Sequence, residues 1–218
     1  MGLADNWRYS WDRGEKQHVP TCGGRLGIIF CLHGLTQSTG NILRFSKMNE
    51  VGDALRCAVI YPEAANVVGN WLNTPFSVFD EKLTDMKRRV DHDGRLFLAG
   101  FSNGACYVHR LGQHWQEIVS GVCIYSGALL GAAVQTTRKY PVLAIHSDDD
   151  PLVTGLEQAE VCESPTERGS MMGDLVDAYR AAAHPVEYVQ LPTGGHVWQA
   201  GMANPHILKA WQGCAIGG

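Results

Sequence analysis

The stretch Leu96–Cys106, L-F-L-A-G-F-S-N-G-A-C, constrains this chain more than any other. Four apolar residues run into G-F-S-N-G, and a helical pattern follows at once. A chain that passes from strand to helix within so few residues must make a sharp turn. The residue in the middle, Ser102, is then forced into an unusual backbone conformation. Gly100 and Gly104 are required on either side because a Cβ at either place would collide with the helix or the neighbouring strand. Such a turn lifts the hydroxyl of Ser102 clear of the backbone and leaves backbone N–H groups beside it.

Further strands read as short apolar runs, as expected where both faces of a sheet are covered. They are Leu26 to Leu32, Ala58 to Tyr61, Ile118 to Tyr125, Pro141 to Ile145 and Val186 to Leu191. Helical spacing lies between them. One helix, capped by Ser38 or Thr39, carries Ile42, Phe45, Met48, Val51 and Leu55. A second carries Phe79, Leu83, Met86 and Val90, a third follows Ser102 over about 103–115, and a fourth carries Met172, Leu175, Val176 and Tyr179. Asn204-Pro205 supplies a cap and first position for a closing helix with Ile207, Leu208 and Trp211. Asp91 to Gly94 reads as a turn. The N-terminal segment, 1–24, alternates Trp7, Tyr9 and Trp11 with polar residues, a pattern for an edge strand. Regular alternation of strand and helix predicts an α/β fold over 1–218, one domain built on a mostly parallel, doubly wound sheet. Ligands of such sheets bind beyond the carboxyl ends of the strands, and there His33, Ser102, Ser126, Asp148 to Asp150 and His196 all fall.

Charge and composition narrow the function classes. With 18 basic against 22 acidic side chains the net charge is −4, which argues against nucleic acid or an anionic membrane as partner. The longest wholly apolar run, Gly127 to Val134, is far short of the roughly 20 residues that a membrane span needs. Neither G-x-G-x-x-G nor G-x-x-x-x-G-K-[ST] occurs, nor H-E-x-x-H nor paired C-x-x-C, so no nucleotide cofactor and no metal is expected. Seven cysteines at irregular spacing, several inside apolar runs, read as small buried hydrophobes of a reduced, cytoplasmic protein, or of a secreted one if a signal peptide was removed.

A serine hydroxyl attacks only once a base takes its proton, and the base must be held in one tautomer by an acceptor. One recurring arrangement runs nucleophile, acid, base along the chain, and Ser102, Asp150 and His196 keep that order. Of nine histidines, His196 is preferred: it follows the acid, and Gly194 and Gly195 let backbone pass close to a reacting centre. His33 and His146 end strands, where a histidine commonly braces loops by hydrogen bonding. Among the three consecutive aspartates, Asp150 before Pro151 is preferred and Asp148 is the alternative, the remaining ones reading as a solvated turn.

The set His33-Gly34-Leu35-Thr36-Gln37-Ser38, Tyr61-Pro62-Glu63, Asn70-Trp71, Gly100-Phe101-Ser102-Asn103-Gly104, Ser126-Gly127-Ala128, His146-x-x-x-Asp150-Pro151 and Gly194-Gly195-His196-x-Trp198 resembles the polyhydroxybutyrate depolymerase and feruloyl esterase branch of the α/β-hydrolases. The resemblance runs from about Leu26 to Trp198. It implies an α/β-hydrolase fold and a serine esterase with Ser102, Asp150 and His196 as catalytic triad. It also implies an oxyanion hole from the backbone N–H groups of Leu35 and Asn103. Two departures stand out: no export signal is evident, and Ser147 replaces the glycine usual after the histidine of the acid motif.

Only Ser126 to Tyr140 separate two strands where many lipases insert a helical lid, so an open site and short-chain or aromatic-acyl small-molecule esters are expected. Trp71, Phe76 and Trp198 are candidates to line the cleft and stack on a planar acyl group, with core packing as the equal alternative. The rival reading is a thioesterase or lysophospholipase resembling the acyl-protein thioesterases, which share L-H-G-L, G-F-S-x-G and S-G-x-L. A non-catalytic binding protein of the same fold is more remote, because serine and histidine are both kept.

Overall fold

A computed structural model describes residues 15–64, 69–129, 134–153 and 172–214. The Trp7, Tyr9 and Trp11 alternation lies outside them, as does part of the 126–140 connection. Among the described residues seven strands form one sheet in the order β1-β3-β2-β4-β5-β6-β7. They are β1 (Lys16–His18), β2 (Leu26–Leu32), β3 (Cys57–Tyr61), β4 (His92–Phe101), β5 (Gly121–Tyr125), β6 (Val142–Ser147) and β7 (Val186–Leu191). All pairings are parallel except that of β1, which runs antiparallel along the outer edge of β3. Lys16–His18 occupy that edge of the sheet. Every residue of β2 and β3 is buried, which is why both read in the sequence as unbroken apolar runs.

Among the described residues six helices cover the sheet. On one face α3 (Phe76–Arg89), α4 (Asn103–His114) and α5 (Met172–Ala181) bury Phe79, Leu83, Tyr107, Leu111, Leu175 and Tyr179 against Ile28, Phe30, Leu98 and Val122. On the other, α1 (Thr39–Ser46), α2 (Met48–Leu55) and α6 (Ala200–Gln212) bury Ile42, Val51, Leu55, Ile207 and Trp211 against Ile29, Phe97, Ala99 and Ile145. Trp211 stacks on Phe97 with ring centroids 4.6 Å apart. Among the described residues no helix is long and apolar enough to cross a membrane.

Several boundaries differ from the sequence reading, four of them for a reason visible in the contacts. The helix expected over Ile42 to Leu55 is two, because Lys47 adopts φ 48° and Ser46 Oγ accepts the Met48 N–H at 3.2 Å, restarting the chain in a new direction. The closing helix begins at Ala200, so Pro205 lies inside it and not at its first position. Asn204 instead ties two elements together: its Oδ1 accepts from Trp198 Nε1 and its Nδ2 donates to Ser46 O. Strand β4 starts at His92, through the expected turn, because the Asp93 carboxylate bonds both the backbone and the guanidinium of Arg95. Strand β5 starts at Gly121, because Ile118 and Val119 fold back to donate to Trp115 O.

Candidate active site

The turn from β4 into α4 has the geometry that its glycines imply. Ser102 sits at φ 53°, ψ −120°, and its own N–H is taken by Tyr125 O at 3.0 Å. A Cβ on Gly100 would lie 2.4 Å from Gly104 O, and one on Gly104 would lie 2.4 Å from His33 O. Both are impossible contacts with backbone, so β4, α4 and the end of β2 can approach only because these positions carry no side chain.

At the carboxyl end of the sheet three loops converge on Ser102. His196 Nε2 is 2.8 Å from Ser102 Oγ, and His196 Nδ1 is 2.8 Å from Asp150 Oδ2 and 3.0 Å from Oδ1. The carboxylate can only accept, so the Nδ1 proton faces Asp150 and the Nε2 lone pair faces the hydroxyl. Asp150 is buried, and its Oδ1 also accepts the N–H groups of Leu152 and Val153 at 2.9 and 3.0 Å. Burial alone would raise its pKa. The bond to His196 and the two backbone donors outweigh burial and hold it below the usual carboxylate value, so it is ionised at neutral pH. Phe101 packs against the imidazole, ring centroids 4.8 Å apart. Ser147 leaves the acid turn intact: Asp150 N donates to Ser147 O at 3.1 Å.

The other two aspartates are not idle. Asp149 accepts the Gly195 N–H at 2.7 Å and the Thr193 hydroxyl at 2.9 Å, which fastens the loop carrying His196 to the acid turn. Asp148 accepts from Gln190. Nothing in the sequence pattern separates Asp149 from a solvated turn residue, since its partners lie more than forty positions away and two of its contacts are to one short loop.

The loop that carries Leu35 and the first residue of α4, Asn103, both flank Ser102. A Cβ on Gly34 would lie 3.3 Å from Ser102 Cβ, so the loop carrying Leu35 passes against the serine. The Leu35 N–H has no acceptor among the described residues, and the Asn103 N–H is the first of α4, with no acceptor inside its own helix. The side chain of Asn103 turns away, accepting from Trp71 N at 2.9 Å.

The aromatic candidates fall differently. Trp71 is 1% exposed, donates Nε1–H to His33 O at 2.8 Å and packs against Phe79 and Tyr107. Trp198 is 3% exposed and stacks on Tyr125. Both occupy the core positions of the packing alternative, and neither offers a face to a cleft. Phe76, half-buried, stacks on His114 at 4.6 Å. The large apolar side chains that do reach solvent beside the triad are Leu35, Leu152 and Val197, at 45%, 69% and 43% exposure. Sequence reasoning singled out Leu35 for its backbone N–H alone and passed over Leu152 and Val197, because nothing in their spacing marks a loop side chain as exposed.

His33 and His146 also part company. His33 is fully buried and bonded on both ring nitrogens, whereas His146 is buried with neither nitrogen partnered among the described residues. Burial raises the thiols of Cys31 and Cys57 to about 12 and that of Cys106 to about 11, which leaves them protonated and inert. A cavity of about 750 Å³ lies at the opposite, amino ends of the strands, lined by Leu96, Ser120 and Pro141 among others, and takes no part in this arrangement.

Sheet order, elbow and three-loop convergence together define the α/β-hydrolase fold. No family model matches the chain. It is 32% identical over 143 residues to NocK of Nocardia uniformis subsp. tsuyamanensis, a protein provisionally designated an esterase. That match covers 57% of this chain and 40% of NocK, so the chain spans less than half the length of that relative. Among solved structures, it resembles esterase PE8 with a TM-score of 0.66 at 16% identity, over 90% of this chain and 98% of that one. It resembles Est1E from Butyrivibrio proteoclasticus with ferulic acid bound, with a TM-score of 0.59 at 14% identity over 91% and 92%. An S-formylglutathione hydrolase from Agrobacterium tumefaciens gives 0.71 at 10% identity over 96% and 94%.

Proposed function

We propose that the protein is a serine carboxylic-ester hydrolase acting on small-molecule esters with short-chain or aromatic acyl groups. The observation that carries this reading is the continuous hydrogen-bonded line from Ser102 Oγ through His196 to the ionised Asp150. His196 removes the Ser102 proton as Oγ attacks the ester carbonyl. The Leu35 and Asn103 N–H groups receive the resulting oxyanion, each such donor being worth about 10²–10³ in rate. His196, now cationic and stabilised by Asp150, returns the proton to the departing alcohol. It then takes a proton from water, which attacks the acyl-enzyme, and passes that proton to Ser102 Oγ as the acid departs and the free serine is restored.

The acyl preference is supported by the apolar side chains at the rim, Leu35, Leu152 and Val197, each within two residues of a triad or oxyanion position. These suit a compact apolar group better than a charged one. An aromatic acyl group is consistent with the ferulic acid bound to Est1E, whose fold this chain shares. A series of p-nitrophenyl esters of increasing chain length, with methyl ferulate and a long-chain acyl thioester beside it, tests the reading. Turnover concentrated on the short oxygen esters and ferulate supports it; strong preference for the thioester overturns it.

A further inference from the structure

Tyr125 ends β5 fully buried, and its backbone and side chain serve two different loops. It pairs across the sheet with Phe101, the residue before Ser102. Its carbonyl oxygen accepts the Ser102 N–H at 3.0 Å, inside the turn from β4 into α4. Its ring lies on the sheet face covered by α6. There the hydroxyl oxygen accepts the backbone N–H of Gln199 at 3.2 Å. Gln199 follows His196 by three positions and immediately precedes α6. Its side-chain Nε2 donates to Gly194 O at 3.1 Å, so residues 194–199 close on themselves around His196. That closure needs a glycine at 194, where φ is 144° and a Cβ would lie 2.6 Å from Gln199 Cγ. The Tyr125 ring is itself held on two sides, stacked on Trp198 at 5.0 Å and edge-on to Phe101 at 5.7 Å.

We propose that Tyr125 is a positioning residue that sets the spacing between Ser102 and His196: its carbonyl holds the serine turn and its hydroxyl holds the histidine loop. The inference rests on the esterase reading above. Both hydrogen bonds are made to backbone N–H groups, so they fix where the two loops run and not only where a side chain points. The rings packed on either side lock the phenol in one orientation, which makes it a rigid spacer. Asp149 fastens the same loop at Gly195, but to the acid turn. Tyr125 is the tether that leads to the nucleophile. Sealed from solvent, it touches no substrate and acts only through the 2.8 Å contact between His196 Nε2 and Ser102 Oγ. Reacting groups lose rate steeply when displaced by even about 1 Å.

The test compares Tyr125→Phe with Ile207→Val, a buried position in the middle of α6 whose truncation lowers stability without touching either hydrogen bond. Tyr125→Phe keeps the carbonyl and the ring and deletes only the hydroxyl. Measured well below its Tm, it should lower kcat for a p-nitrophenyl ester about tenfold with KM little changed. Fluorophosphonate labelling of Ser102 should slow by the same factor. The downfield ¹H resonance of His196 Nδ1–H, which reports the bond to Asp150, should shift or broaden. Ile207→Val should lower the Tm and leave kcat, labelling rate and that resonance at their wild-type values. If Tyr125→Phe behaves like Ile207→Val and loses Tm alone, the hydroxyl only anchors the start of α6 and the proposal falls. If wild-type protein turns over no ester while the resonance still moves in Tyr125→Phe, the spacing role stands and the esterase reading falls.

Discussion

Gly104 and His33 are separated by 71 positions, yet a single carbon added to Gly104 would come within 2.4 Å of the His33 carbonyl oxygen. The serine turn and the loop after β2 are therefore pressed backbone to backbone, and neither can shift without the other. Gly104→Ala should unfold or grossly distort the site, with a loss of stability of about 3 kcal/mol or more and no measurable hydrolysis. Gly201→Ala in the exposed first turn of α6, where nothing lies within 4 Å, should be neutral or stabilising by less than about 1 kcal/mol. Thermal melts of the two variants check the contrast.

The three aspartates of the acid turn should separate cleanly. Asp150→Asn leaves the shape but lets His196 settle in the wrong tautomer, so kcat should fall by roughly 10³–10⁴. Asp149→Ala releases Gly195 and Thr193 and loosens the histidine loop, for an expected drop in kcat of about tenfold. Asp148→Ala should cost least. Steady-state kinetics on one activated ester ranks all three.

Trp71 and Trp198 should behave as structural residues. Trp71→Phe strands the buried His33 carbonyl, at about 1–3 kcal/mol of stability. It should lower kcat through the oxyanion loop and leave KM for aromatic esters unchanged. By contrast Leu152→Ser or Val197→Ser, at exposed rim positions, should raise KM for the longer or aromatic esters without changing the Tm. A KM that rises in the tryptophan variant and stays fixed in the rim variants would restore the tryptophans to the cleft.

Acid should destabilise the protein through its histidines before its carboxylates. Burial pulls the His109 pKa from 6.5 to about 4, with Arg110 adding to the effect. Burial also lowers His33, His92, His146 and His184. The folded state binds these protons less readily than the unfolded chain, so stability rises with pH across this window. For His109 it is complete above 6.5 and is lost as pH falls towards 4, by roughly 3 kcal/mol in all. The lowered carboxylates of Asp93 and Asp150 act in a different window, their contribution fading only below the ordinary value of 3.8. The Tm should fall steadily between pH 6.5 and 4, with a shallower slope in His109→Gln.

How much of this was legible in the sequence follows from the range of each cause. The elbow was, because strand, glycines and helix are set by neighbours within eleven residues. The order Ser102, Asp150, His196 was too, since each ends its own strand and the sheet brings strand ends together. What escaped depends on contacts made only after folding. The break at Lys47 needs Ser46 turned inward, and the early start of α6 needs Trp198 and Ser46 to hold Asn204. The latch of Asp149 joins segments that no local period connects. The tryptophans were ambiguous for a related reason: a large ring before a turn packs inward or lines a cleft according to what faces it, and here Tyr125 and Tyr107 face it.

The claim at the centre is that Ser102 is a nucleophile activated by His196. Intact-mass spectrometry after treatment with a fluorophosphonate measures this most directly. One adduct per chain is expected on the wild type, mapping to the peptide that contains Ser102, with none on Ser102→Ala and sharply slowed labelling on His196→Ala. A wild type that takes up no label, or a Ser102→Ala variant labelled at the wild-type rate, would contradict the account.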